Sequence, residues 1–180
     1  MTVNASFDWT GVPVLVTGAG GFIGSHLVET LVDRGARVRA LVRYTSRADL
    51  GALAQSPPDV RGRVEFVQGD LRNRDVITAA TKGVSTVFHL GALISIPYSY
   101  VNPDETVGTN VLGTLNVLQA ARNAGVRRIV QASTSEVYGT AQYVPIDERH
   151  PLQGQSPYSA SKIAADKMAE SYFRSFELPV

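Results

Sequence analysis

The sequence predicts an α/β fold, a doubly wound parallel sheet with helices on both faces, and three observations carry that prediction. Apolar runs rich in β-branched residues alternate with segments of helical period, so each strand is followed by a crossover and not by a hairpin. The first run, V-L-V-T from Val14, breaks into glycines at Gly18, Gly21 and Gly24, the spacing of a strand, a tight turn and a helix start. The alternation continues to the end of the 180 residues with no internal repeat and no low-complexity linker, so a single domain over 1–180 is expected.

The elements follow in order. Residues 22–33 carry Ile23, Leu27, Val28 and Leu31 on one helical stripe that stops at Arg34-Gly35, a glycine end. Residues 36–42 alternate as a second strand, and the polar stretch 43–63 with Pro57-Pro58 reads as a loop with a short helix near 48–54. A third strand over 64–68 closes at Gly69-Asp70, a helix covers 73–80, and a fourth strand over 84–90 contains His89. Beyond Pro97 and Pro103, Val107, Val111, Leu115 and Leu118 mark a long helix over 104–123 that ends at Gly125. A fifth strand (128–132), the polar stretch 133–155 and a last helix (157–176) complete the chain. It stops at Leu178-Pro179-Val180, where the pattern calls for a sixth strand, and it reads as truncated there.

Composition narrows the function. Seventeen basic residues stand against sixteen acidic ones without a run of either sign, which argues against a nucleic-acid tract or a membrane-surface patch. Cysteine is absent, so a disulfide scaffold and a thiolate metal site are excluded, and no metal ligand set is assigned. The first ten residues hold neither a basic n-region nor an apolar core, and no run approaches the ~20 apolar residues of a membrane span. The expectation is a leaderless cytoplasmic protein.

The glycine turn is the first candidate site. Gly18 permits the turn, Gly21 lets the backbone approach phosphate oxygens, and Gly24 lets the helix pack on the strand, with free N–H groups and the helix dipole facing an anion. At the other end, Tyr158 and Lys162 lie four apart after Pro157, which puts both on one helix face. An ammonium beside a phenol favours the phenolate, a general base. Ser133, Thr134 and Ser135 add hydroxyls at the end of the fifth strand, where the strand ends of such a sheet meet a ligand.

Together T-G-A-G-G-F-I-G-S-H-L, G-D-L at Asp70, H-L-G-A at His89, T-N-V-L-G-T at Asn110, A-S-T-S-E-V-Y-G and S-P-Y-S-A-S-K resemble the extended short-chain dehydrogenase/reductases. The resemblance is to their nucleotide-sugar epimerase/dehydratase branch, and it runs from about Val12 to Val180 in family order. H-L-G-A stands where H-L-A-A is usual, which puts Gly91 beside the cofactor. The resemblance implies a Rossmann fold whose C-terminal substrate domain is missing from this chain.

It also implies roles. Gly18, Gly21, Phe22, Ile23 and Gly24 would hold the pyrophosphate, Asp70 and Leu71 the adenine, and Leu90, Gly91 and Ala92 the floor near the nicotinamide ribose. Tyr158 would be the base, Lys162 its partner and ribose ligand, and Thr134 the hydroxyl on the sugar's 4-oxygen, with Ser135 beside it and Ser99 against the sugar nucleotide. Asp70 could equally be a turn residue, and Asn110 stitches loops more readily than it touches ligand. Glu136 follows Thr134-Ser135 as in the dehydratases, where a carboxylate removes the 5-proton once carbon 4 is a ketone and water leaves from carbon 6. The reading is a nucleotide-sugar 4,6-dehydratase acting on a UDP-N-acetylglucosamine-type sugar, with 4-epimerase or UDP-glucuronate decarboxylase as the alternatives. A dinucleotide-binding module without turnover is the alternative from another class.

The cofactor is NAD or NADP. Arg43 ends the second strand with Arg47 nearby and no acid before Asp49, which favours the 2′-phosphate of NADP. Relatives pair the two long helices, here 104–123 and 157–176, across a two-fold axis, so a homodimer is expected.

Overall fold

The computed structural model describes residues 7–180, and most of the segment read as leaderless, residues 1–6, lies outside the described residues. Five strands, β1 (Pro13–Thr17), β2 (Arg37–Arg43), β3 (Glu65–Gly69), β4 (Thr86–His89) and β5 (Arg128–Gln131), form one parallel sheet in the order β3-β2-β1-β4-β5. The helices are α1 (Phe22–Asp33), α2 (Pro58–Arg61), α3 (Arg74–Thr81), α4 (Ile96–Val101), α5 (Pro103–Val107), α6 (Gly113–Asn123) and α7 (Pro157–Phe176). The strand order reverses between β1 and β4, and a crevice opens at the carboxyl ends there. Thr17 pairs with Leu41 on one side and His89 on the other, so Gly18 and Leu90 leave the sheet together.

Side-chain alternation sorts the core into two layers. Val14 and Val16 join Val38, Ala40 and Val42 against Val28, Leu31 and Val32 of α1. Leu15 joins Leu41, Val87 and Ile129 against Ile77 of α3, Leu118 of α6 and Tyr172 of α7. Each fully buried aliphatic side chain contributes about 1.5–3 kcal/mol, so helices packed on both faces hold the sheet in place under the crevice.

The structure departs from the periodicity where backbone detail decides. The helix expected near 48–54 is a 3-10 turn, Gly51–Gln55, followed by the four-residue α2. The prolines at 97 and 103 begin helices instead of breaking them, since a proline in the first turn loses no hydrogen bond. The helix expected over 104–123 is three pieces: α5, a π turn (Gly108–Leu112) and α6. A π turn inserts a residue without erasing the apolar stripe, so periodicity cannot report it. Among the described residues no helix is long and apolar enough to cross a membrane.

Beneath the crevice runs a buried chain of hydrogen bonds. The N–H of Gly91 donates to Thr17 Oγ1 at 3.1 Å, and Thr17 Oγ1 lies 2.7 Å from His89 Nδ1. His89 Nε2 lies 3.0 Å from Thr114 Oγ1, which itself donates to the Asn110 carbonyl at 2.6 Å. Those partners fix the proton positions: Thr17 donates to Nδ1, and Nε2–H donates to Thr114. Full burial, reinforced by the charge of Lys162, lowers the His89 pKa to about 3, so the ring is neutral at physiological pH.

A neutral buried histidine makes stability pH-dependent. Its folded pKa is depressed, so the unfolded state binds the extra proton, and the stabilisation is complete above pH ~6.5 and lost as pH falls toward 3. Urea unfolding is expected to lose up to about 1.4 kcal/mol per pH unit below ~6.5, and His89→Asn to flatten that slope. Equal slopes in the two proteins would contradict the account.

Candidate functional site

The site begins at the glycine turn. Gly18 has φ +67°, and a Cβ on Gly24 would stand 2.2 Å from the Gly18 carbonyl, so α1 meets the turn closer than any side chain permits. Gly21 caps α1 without a side-chain hydrogen bond, the first turn holds no acidic residue, and the first bond of the helix runs from Ser25 N–H to Gly21 O at 2.9 Å. The N–H groups of Phe22, Ile23 and Gly24 therefore have no acceptor within the helix, and the positive end of its dipole is bare. Phe22 and Ile23, both over two-thirds exposed, leave large apolar surface beside it.

One cleft gathers most of the expected residues. Gly18, Gly21, Phe22, Ile23 and Gly24 form one wall, Leu90, Gly91 and Ala92 the floor, and Tyr158, Lys162 and Ser133 the far wall. An adjoining hollow over β2 and β3 is lined by Gly18, Arg43, Asp70, Leu71, Gly91 and Ala92. The two share Gly18, Gly91 and Ala92, so they form one groove along the carboxyl ends of the strands.

The far wall is held by the start of α7. Ser156 and Ser159 bond each other's backbone in a capping box, with Pro157 in the first turn, so Tyr158 sits in a fixed turn of helix. Tyr158 and Lys162 are both buried, and Lys162 Nζ donates to the Ala132 carbonyl at the end of β5 at 2.6 Å. Burial pushes the Lys162 pKa below its ordinary value against the pull of the Asp166 carboxylate. Asn110, as expected of a stitch, receives the Leu93 N–H at 2.8 Å and donates to Leu93 O and Ser161 Oγ, and Ser161 donates to Tyr158 O.

Other expected residues stand apart from the cleft walls. Ser99, expected against the sugar nucleotide, is fully buried and its hydroxyl donates to Ile96 O at 2.7 Å. Thr134 is half-buried and caps the 3-10 turn Ser135–Tyr138 by accepting the Glu136 N–H, while Ser135 and Glu136 are exposed on that turn beside α7. Of the three neighbouring hydroxyls, Ser133 is the one on the wall, donating to Asp166, which also accepts from Gln131 at 3.1 Å.

At the β2 end the sequence missed the partners. Asp70 is both a turn residue and a lining residue: its carboxylate takes the Arg72 backbone and guanidinium, which holds its pKa below the usual carboxylate range. Arg43 reaches the hollow, but its guanidinium donates to Glu105 Oε1 of α5 at 3.0 Å. Sixty-two positions separate that pair, and no local signal connects them. Asp49 lines the hollow on the other side of Arg43. Among the described residues no group of three or more His, Cys, Asp or Glu is placed to hold a metal ion.

Comparison with known proteins points the same way. The family described as GDP-mannose 4,6 dehydratase matches residues 15–180. A dTDP-glucose 4,6-dehydratase of Streptomyces antibioticus is 38% identical over 171 residues, 93% of this chain and 50% of the relative. A putative UDP-glucose 4-epimerase of Methanocaldococcus jannaschii is 36% identical over 163 residues, 89% of this chain and 51% of the relative. The crystal structure of the dTDP-glucose 4,6-dehydratase DesIV from Streptomyces venezuelae, with NAD bound, matches at TM-score 0.79 and 37% identity, over 93% of this chain and 53% of that one. The chain thus spans about half the length of the relatives it matches.

The close approach at Gly24 is testable without a ligand. Gly24→Ala is expected to lower stability by about 1–3 kcal/mol in urea unfolding, because the new methyl meets backbone and not a movable side chain. A change below about 0.5 kcal/mol would mean that the turn is looser than drawn.

Proposed function

The chain belongs to the extended short-chain dehydrogenase/reductase family of nucleotide-sugar dehydratases and epimerases, and we propose that it carries the cofactor-binding and catalytic half of a nucleotide-sugar 4,6-dehydratase. The observation that carries this reading is the convergence of a bare helix N-terminus and the buried Tyr158 and Lys162 on one cleft. The residues fit a dinucleotide: three unpartnered N–H groups suit the pyrophosphate, and exposed Phe22 and Ile23 suit apolar contact. When bound, the nicotinamide supplies reversible oxidation at the sugar's 4-position.

The chain's own residues do the proton chemistry. Tyr158 takes the proton of the 4-hydroxyl, and Lys162, fixed on the Ala132 carbonyl, stabilises the phenolate that accepts it. Thr134 hydrogen-bonds the 4-oxygen, with Ser135 beside it. Glu136, on the turn beside α7, removes the 5-proton once the neighbouring carbonyl has acidified it, and water leaves from carbon 6. The substrate class is a nucleotide hexose, a UDP-N-acetylglucosamine-type sugar by the wording A-L-I-S-I-P-Y-S-Y. The partner is a second copy of the chain across the two long helices, where Val107, Leu112 and Phe173 expose apolar surface. A second reading, 4-epimerase, is favoured by the likeness to the Methanocaldococcus relative.

Incubation with UDP-N-acetylglucosamine, UDP-glucuronate, dTDP-glucose and GDP-mannose, each with NAD and NADP, is expected to give a product that has lost one water. Glu136→Gln is expected to slow that loss by about 10²–10⁴-fold. Altered stereochemistry at unchanged mass would move the chain to the epimerases, and loss of carbon dioxide to the decarboxylases. Cofactor binding without any product would leave a binding module.

A further inference from the structure

We propose that Glu105 selects the cofactor: it occupies Arg43, keeps a 2′-phosphate out of the groove, and so makes the site one for NAD. The proposal rests on the dinucleotide reading above and deepens it. An arginine at the end of β2 is the residue that would pair with a 2′-phosphate, whereas a carboxylate there would accept ribose hydroxyls. Here both groups are present in one cluster. Arg43 Nη2 donates to Glu105 Oε1 at 3.0 Å, and Arg72 Nη1 lies 3.9 Å from the same oxygen.

The carboxylate is held independently of Arg43. Tyr98 of α4 donates its hydroxyl to Glu105 Oε2, and Arg72 approaches from the turn after β3. The Tyr98 hydrogen bond, with the two guanidiniums, holds the Glu105 carboxyl below the usual carboxylate range, so it is ionised at neutral pH. Arg72 is in turn closed on Asp70 at 2.6 Å. Two guanidiniums and two carboxylates therefore cancel, and the cluster has no charge left for a dianion. A phosphate reaching for Arg43 must displace a carboxylate that two other groups keep in place, and would meet like charge beside it. A neutral ribose diol meets no such conflict and finds an acceptor in Asp49, which lines the neighbouring hollow on the other side of Arg43.

Isothermal titration of the 180-residue chain with NAD and with NADP, at low and at raised salt, tests this. The wild type is expected to bind NAD at least about tenfold more tightly than NADP, and Glu105→Gln to raise the ratio of NADP to NAD affinity by about tenfold. Adding Arg43→Ala to Glu105→Gln should remove that gain, and raised ionic strength should shrink it. A wild type that prefers NADP, or a ratio unmoved by Glu105→Gln while NAD still binds, would overturn the role of Glu105 and leave the dinucleotide reading intact. Binding of neither dinucleotide by the wild type would overturn both.

Discussion

The cleft depends on one buried chain of hydrogen bonds, from the Gly91 N–H through Thr17, His89 and Thr114 to the Asn110 carbonyl. Each polar atom in it has a partner, and each would cost on the order of 1–3 kcal/mol if left buried without one. The chain works with a neutral imidazole, which full burial enforces, carrying its proton on Nε2 because Thr114 already donates to Asn110 O. Through it the ends of β1 and β4, the loop after β4 and α6 are locked together. Asn110 extends the lock through Ser161 to Tyr158. The glycine turn and the Tyr158–Lys162 wall, more than a hundred residues apart in sequence, are thereby set in one geometry.

The groove is electrostatically divided. At the chemical end stand the uncapped start of α1 and the Lys162 ammonium, both favouring negative charge. At the β2 end the charges of Arg43, Arg72, Asp70 and Glu105 cancel in pairs. An elongated ligand with its anionic part near the glycine turn and a neutral part over β2 matches that division.

Local physics was legible in the sequence, and side-chain traffic between distant elements was not. The glycine turn, the parallel sheet implied by strict alternation, and α7 with its Pro157 start are written in contiguous residues, and the structure places α1 and α7 at the expected bounds. The α4 helix was hidden because Pro97 and Pro103 break helices in their interiors but not in their first turns. The pairing of Arg43 with a carboxylate from another helix is a tertiary fact with no periodic or compositional trace. Asn110 was readable as a residue that stitches loops, but its partners, Leu93 and Ser161, required the fold.

Amide hydrogen exchange with and without NAD tests the central claim most directly, because it reports which backbone groups the dinucleotide covers. The account predicts added protection over residues 18–24 and 90–92, where the unpartnered N–H groups and the cleft floor lie, and over the start of α7. Protection confined to other parts of the chain, or none at saturating NAD, would contradict it.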